Sequence, residues 1–115
     1  MDIKTIIDEY NKNIDFMSEH KISNETMTNA EKFESMLKAA NITGYDLVPS
    51  STGEFYFDWD TEKLSFGVGI EGHVATLEYL NKQVDNDSYV EAYDFKNQED
   101  VDELINILDE IVNGI

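Results

Sequence analysis

The 115-residue chain contains no cysteine, no arginine and only one proline. Without cysteine it has no disulfide bond, no thiolate nucleophile and no cysteine ligand for a metal. It also has no apolar run long enough to span a bilayer and no basic-then-apolar segment after Met1. We therefore expect a soluble protein of the cytoplasm, a compartment in which disulfide-free folds of this size are common.

The missing arginine is part of a strong charge imbalance. Eight lysines oppose 25 acidic residues, which gives a formal net charge of −17. Direct binding to DNA or RNA is disfavoured, because phosphate contacts need clustered Lys and Arg and base readout relies on Arg. Binding to anionic membranes is disfavoured for the same reason. Residues 84–115 are the most negative part of the chain, with ten acids and one lysine.

The composition is nevertheless that of a folded protein. Hydrophobic residues make up 41% of the chain and aromatic residues 11%, so the chain has enough apolar surface to bury a core. Its length suits one core and is too short for two. We expect residues 1–115 to form a single domain.

Helical periodicity predicts an αα-hairpin in the first 44 residues. Residues 2–19 carry apolar side chains at three- and four-residue spacings, the pattern of an amphipathic helix. A second stripe starts after Ser23 or Asn24, either of which can cap the helix, and Thr43-Gly44 is the predicted stop.

A third helix is predicted near the C-terminus. Asn97 is a suitable N-cap, and Asp100 three residues later comes close to a capping box. The apolar stripe that follows runs from Val101 to Val112.

Strict alternation of apolar with polar or small residues between Gly53 and Leu80 predicts three antiparallel strands. Two-residue turns at Thr61-Glu62 and Glu71-Gly72 would connect them. The resulting pairs are Ile70 with His73, Val68 with Ala75, Phe66 with Leu77 and Leu64 with Tyr79, and, across the first turn, Trp59 with Leu64, Phe57 with Phe66 and Phe55 with Val68. All these side chains share one face, which we expect to be buried.

The same register predicts an acidic opposite face with two glycines in its middle strand. Its cross-strand rows are Tyr56, Gly67 and Thr76; Asp58, Ser65 and Glu78; and Glu54, Gly69 and Val74. Glycines within a strand mark a close approach of another group, and Tyr56 is the residue expected to lie over Gly67. Two interpretations stay open, a solvated outer face and a docking surface.

Two further segments complete the predicted sheet. Residues 45–49 form a short extended stretch in which Pro49 suits a sheet edge, and residues 88–95 alternate again without showing which side is buried. The predicted fold is α+β, with an N-terminal αα-hairpin, an antiparallel four- to five-stranded meander sheet and a C-terminal helix packed on one sheet face.

No pattern in the sequence predicts a catalytic, cofactor or metal site. His20 and His73 lie in turns without neighbouring ligands, and Gly67-x-Gly69-x-x-Gly72 spans a strand and a turn where a dinucleotide fingerprint would open a helix. Asp58-Trp59-Asp60 and Asp85-Asn86-Asp87 lack the glycine of a calcium loop. We expect no cofactor, no metal and no enzymatic activity.

What remains is a negatively charged surface that suits a basic protein partner. Carboxylates would supply the charge, and tyrosines beside them the aromatic anchors. The candidate partner-binding residues are Glu54, Tyr56, Asp58, Glu78, Asp85, Asp87, Tyr89, Glu91, Tyr93, Asp102, Glu103, Asp109 and Glu110.

In size, acidity and lack of active-site chemistry, the chain resembles the small phage-encoded inhibitors, anti-CRISPR and DNA-mimic proteins among them. The resemblance covers the whole chain as a physical type and transfers no site residues. It implies an inhibitor of a CRISPR effector or of a DNA or RNA enzyme, acting in the host cytoplasm. Two alternatives stay open: an immunity protein or antitoxin that neutralises a cognate toxin, and an adaptor domain without an inhibitory role.

Overall fold

A computed structural model describes residues 2–13 and 21–113 of the chain. Its five strands form one antiparallel sheet in which strand order follows chain order. The elements are α1 (Ile3–Asn13), α2 (Asn24–Ala39), β1 (Asp46–Pro49), β2 (Phe55–Asp60), β3 (Leu64–Glu71), β4 (Val74–Asn81), β5 (Ser88–Asp94) and α3 (Gln98–Val112). The predicted α+β class, the meander sheet and the C-terminal helix against it are confirmed.

The three helices cover one face of the sheet, which we call the inner face. Helix α1 contacts β1, α2 contacts β2 and β3, and α3 contacts β5. Phe33 of α2 lies at the centre of this layer, with its ring edge-on to Phe57 at 5.0 Å and to Phe95 at 6.0 Å. Edge-to-face contacts of this kind add to the stabilisation that burial of the rings provides.

Side-chain oxygens cap the starts of α1 and α2, and the cap of α2 is the predicted Ser23. The Asp2 carboxylate accepts from the Thr5 N–H at 2.8 Å, and Ser23 Oγ accepts from the Thr26 N–H at 3.1 Å. Side-chain oxygens at these positions satisfy backbone donors that have no partner within the helix. Residues 14–19 of the predicted first helix lie outside the described residues.

Helix α2 ends earlier than predicted. It stops at Ala39 rather than at Thr43-Gly44, and Asn41 takes a positive φ of 59° just beyond the end. Asparagine tolerates this left-handed conformation, which ends a helix as glycine does. The early stop allows Ile42 to turn into the core, where it is fully buried.

Asn97 caps α3 as predicted, but the capping box does not form. Asn97 accepts from the Glu99 N–H at 3.0 Å. The Asp100 carboxylate accepts from the Asp94 N–H at 3.1 Å instead of reaching the cap residue. Asp100 therefore attaches the helix to the end of β5.

Both predicted hairpin turns lie one residue too early. Glu71 pairs with Val74, so the second turn consists of Gly72 and His73. The Thr61 N–H donates to the Leu64 carbonyl at 2.8 Å, so the first turn consists of residues 62 and 63. Gly72 has a φ of +60° at the first turn position, which is the position that type II′ turns give to glycine.

The displaced turns shift the register by two residues and leave every side chain on its predicted face. The observed pairs are Ile70 with Ala75, Val68 with Leu77, Phe66 with Tyr79 and Leu64 with Asn81, and, across the first turn, Phe55 with Ile70, Phe57 with Val68 and Trp59 with Phe66. Side chains alternate with a period of two, so a two-residue shift restores the same faces. The predicted buried face is confirmed by the burial of Phe55, Phe57, Trp59, Phe66, Val68, Ile70, Ala75 and Leu77.

The sequence did not show which side of residues 88–95 is buried. In the structure the side of Tyr93 and Phe95 is the buried one, but only in the second half of the segment. Tyr93 and Phe95 are buried under the helices. Tyr89 and Glu91 are on the same side by alternation but are exposed. Helical cover therefore extends over only the second half of β5.

Candidate functional site

The sheet face opposite the helices, which we call the outer face, is free of cover by any described element. Its central row crosses all five strands, with the registered residues Asp46, Asp58, Gly67, Glu78 and Val90. This replaces the predicted row of Asp58, Ser65 and Glu78, because the register is shifted by two. Three acidic residues and one exposed valine thus flank a glycine in the middle strand.

The two glycines of β3 allow neighbouring side chains to lie close over the strand. A Cβ atom on Gly67 would collide with the Asp58 carboxylate and lie 3.0 Å from the Phe57 carbonyl oxygen. A Cβ atom on Gly69 would lie 2.6 Å from the Tyr56 ring. The prediction that Tyr56 lies over Gly67 is therefore wrong, since the shifted register brings Tyr56 beside Gly69 and Asp58 beside Gly67.

A cleft of about 530 Å³ opens on the outer face at the end of the sheet near the β4–β5 loop. Its lining includes Asp58, Gly67, Glu78, Leu80 and Val90. Leu80 is 49% exposed and Val90 is 69% exposed. Carboxylates and accessible aliphatic side chains therefore share one concave surface, which we call the outer cleft.

Like charges and partial burial act together on Asp58. Its pKa is raised above the ordinary value, first by desolvation and then by the charges of Glu78, Asp46 and Asp60. Desolvation and the neighbouring Glu54 carboxylate raise the pKa of Tyr56 to about 12, so its hydroxyl keeps its proton at neutral pH.

Among the acidic residues of the central row and the outer cleft, only Asp60 has a lysine partner in the part of the chain that the structure describes. Lys82 Nζ lies 2.6 Å from the Asp60 carboxylate and also donates to the Thr61 carbonyl at 2.8 Å. Asp58 and Glu78 take part in none of the ion pairs among residues 2–13 and 21–113. No strand contains a basic residue, so the negative potential of the outer face is largely uncompensated.

The candidate residues Glu54, Tyr56, Asp58 and Glu78 do share the outer face. Asp85 and Asp87 lie in the exposed loop between β4 and β5. The loop is ordered by hydrogen bonds, including one from Asn81 Nδ2 to the Asp87 carboxylate at 3.0 Å.

The β5 candidates lie on the inner side of the sheet. Tyr93 is only 4% exposed, so its ring is not accessible to a partner. Its hydroxyl donates to Glu91 at 3.2 Å, and burial followed by the Glu91 charge raises its pKa to about 12. Tyr89 remains accessible, and its ring stacks on that of Tyr79 with the two ring centroids 5.1 Å apart.

The α3 candidates lie on a second acidic surface, which we call the α3 surface. It consists of Asp102, Glu103, Asp109 and Glu110. Because α3 belongs to the helical layer, this surface and the outer cleft are on opposite sides of the sheet. The predicted residues therefore do not converge on one patch.

Asp46, Leu80 and Val90 lie on the outer face and are not among the predicted site residues. Asp46 joins the central row through the pairing of β1 with β2, a pair for which sequence patterns predict no register. Leu80 and Val90 are strand residues whose type carries no functional signal. Alternation from the buried Leu77 would have placed Leu80 on the outer face.

His73 is partly exposed and also has a carboxylate partner. Its Nδ1 lies 3.0 Å from the Asp94 carboxylate. The pKa of Asp94 is lowered, first by the hydrogen bond that its carboxylate accepts from the Lys96 N–H and then by His73. Within residues 2–13 and 21–113, no three or more His, Cys, Asp or Glu residues are grouped so as to hold a metal ion.

None of the described helices is both long and apolar enough to cross a membrane. Comparison of the chain with protein-family models, with curated proteins and with solved structures gives no match.

Proposed function

We propose that this protein is an acidic inhibitor that binds the basic surface of a nucleic-acid-handling protein, such as a CRISPR effector or a DNA or RNA enzyme. The observation that carries the proposal is the uncovered outer face, where unpaired carboxylates and exposed aliphatic side chains form one concave surface. Inhibition of this kind is stoichiometric and occurs in the cytoplasm of the cell that contains the target.

The charge distribution favours rapid encounter with such a partner. A net charge of −17 steers a positively charged surface toward the protein over distances of about a Debye length, ~8 Å at physiological ionic strength. Carboxylates held on a sheet are also pre-ordered, so little side-chain entropy is lost when they replace the phosphates of a nucleic acid.

The apolar component provides what charge alone lacks. Fixed charges mainly raise association rates, whereas buried aliphatic and aromatic contacts slow dissociation. Leu80, Val90 and Tyr89 are accessible within the same end of the sheet. A partner that covers them gains an anchor that persists when salt weakens the electrostatic attraction.

The test is a binding and competition assay with a panel of purified basic proteins: CRISPR effectors, nucleases, polymerases and basic toxins. We expect at least one nucleic-acid enzyme to form a 1:1 complex that weakens as salt rises and that excludes its nucleic acid. Affinity that does not change between low and high salt, or a complex that still binds nucleic acid, contradicts the proposal. Exclusive binding to a toxin would instead identify an immunity protein.

A further inference from the structure

Exposed aliphatic and aromatic side chains concentrate at one end of the sheet. The residues involved are Leu80, Val84, Tyr89 and Val90, all within or beside the β4–β5 loop. Exposed apolar groups that cluster beside charged groups are typical of protein-binding surfaces. This end of the sheet is therefore better suited to a protein partner than the remainder, and Leu80 and Val90 are its members on the outer face.

The base of the outer cleft carries two carboxylates, one of which lies over the glycine of the middle strand. Asp58 and Glu78 lie on either side of Gly67 in the central row. Strand spacing separates their Cα atoms by about 10 Å. Because Gly67 has no side chain, the Asp58 carboxylate lies over the glycine. A group that enters the cleft meets Asp58 and Glu78, with Leu80 and Val90 in the same lining.

The chemistry of this cleft specifies its occupant. The two carboxylates favour a cation, and the aliphatic wall favours a ligand with an apolar chain next to that cation. Arginine combines both, because its guanidinium binds carboxylates through paired hydrogen bonds and its methylene groups pack on aliphatic side chains. Lysine offers a similar stem, but its ammonium is a strongly hydrated point charge.

We propose that the outer cleft is the partner-binding site and that it receives an arginine side chain from an exposed basic segment of the target protein. This inference rests on the proposed function. The guanidinium binds the Asp58 carboxylate that lies over Gly67 and the neighbouring Glu78, and the arginine stem packs on Leu80 and Val90. The α3 surface then contributes long-range attraction without direct contact.

A second copy of the chain is the wrong occupant. The chain contains no arginine, and its strands contain no lysine to take the place of one. Two copies would also bring together surfaces of the same sign. The raised pKa of Asp58 agrees with a site that gains from a cation, since a positive charge relieves the repulsion among the carboxylates.

The first experiment locates the site with defined probes. A capped peptide of alternating arginine and glycine is titrated into the ¹⁵N-labelled protein at low salt, with the matched lysine peptide as the comparison. We expect amide shifts to concentrate at Gly67, Glu78, Leu80 and Val90, and the arginine peptide to bind several-fold more tightly. Shifts centred on α3, shifts spread over all surfaces, or equal affinity for the two peptides overturn the inference.

The second experiment compares variants with the same net charge. Asp58→Asn with Glu78→Gln is expected to weaken binding of the arginine peptide about tenfold. Asp102→Asn with Glu103→Gln removes the same charge from α3 and is expected to weaken it no more than about twofold. Equal losses in the two variants overturn the inference. Circular dichroism verifies that both variants remain folded.

A third variant separates contact from charge. Leu80→Asn keeps the net charge and alters an exposed position, so the fold is expected to tolerate it. Weaker binding of the arginine peptide supports the aliphatic wall, and unchanged binding contradicts it.

The same variants are then tested against a target protein from the panel. A loss of binding confined to the α3 variant overturns this site while the inhibitor proposal stands. Absence of any salt-dependent complex instead overturns the proposed function.

Discussion

The two faces of the sheet are built from alternating residues of the same strands, yet they differ in almost every property. The inner face of β2 to β4 carries aromatic and aliphatic side chains that the helices bury. The outer face carries carboxylates, two glycines and accessible valines. Stability resides in the inner face, so the outer face is free to concentrate like charges that would otherwise weaken the fold.

The largest expected difference between the faces is in the free energy of unfolding. Phe57→Ala on the inner face should lower it by about 3–5 kcal/mol, because the substitution leaves a cavity where the ring meets Phe33. Thr76→Ala on the outer face should lower it by less than about 1 kcal/mol. Urea denaturation measures both. Phe57→Leu serves if the alanine variant fails to fold, and equal losses at the two faces would contradict the comparison.

A smaller effect is expected where a buried hydroxyl joins the helical layer to the sheet. Thr26 is 1% exposed, and its Oγ1 accepts from the Gly72 N–H at 2.8 Å. Thr26→Val keeps the shape but leaves that N–H without a partner, which should lower the free energy of unfolding by about 1–3 kcal/mol. Thr26→Ser retains the hydroxyl and is the matched control. Thermal denaturation that ranks valine equal to serine would show that the hydrogen bond contributes nothing.

The glycines of the outer face should differ from one another. Gly67→Ala places its new methyl group against the Phe57 backbone oxygen at 3.0 Å, an atom that cannot move aside, and should lower the free energy of unfolding by about 1–3 kcal/mol. Gly69→Ala meets the ends of the Tyr56 and Glu54 side chains, which can rotate away, so its effect should be smaller. Chemical denaturation gives the order, and a larger loss at Gly69 would reverse our interpretation.

The smallest effect concerns the charge of Asp58 and depends on pH. A raised pKa means that the folded state holds the proton more tightly than the unfolded state, so stability decreases as pH rises from below the ordinary carboxyl value of 3.8 through the folded pKa. Above that range, Asp58→Asn should be more stable than wild type by less than about 1 kcal/mol, because water still reaches the carboxylate. At pH 2.5 the two should be equal.

Denaturation midpoints at several pH values test this expectation. Asp102→Asn on α3 is the control for a general change in net charge. A benefit of Asp58→Asn that persists unchanged at acid pH would have a cause other than ionisation.

The sequence was sufficient to assign side chains to faces but not to locate the turns. In β2 to β4 alternation alone identifies the inner residues, and that assignment is confirmed. Turns at residues 71–72 and 72–73 both contain Gly72, and only the second gives glycine the first position of a type II′ turn. Contacts from α2 support this turn, since Thr26 Oγ1 accepts from the Gly72 N–H and Asn29 Nδ2 donates to the Gly72 carbonyl, both at 2.8 Å.

The predicted site was limited by the same lack of long-range information. Composition identified the acidic candidates, but only the packing of α3 separates Asp102 from Asp58 and places them on opposite sides of the sheet. Tyr93 was a reasonable anchor by residue type, and its burial follows from the position of α3 over the second half of β5. Val90 lacked any local signal, because alternation in β5 left both sides possible.

The attachment of Gly72 to α2 also bears on the order in which the protein assembles. The hairpin of β3 and β4 is local in sequence, whereas the hydrogen bond from its turn to Thr26 spans 46 residues. Closing so long a loop is entropically unfavourable and is typical of late steps. The turn amide is therefore secured only after helix and hairpin have met, which makes its hydrogen exchange a reporter of that docking event.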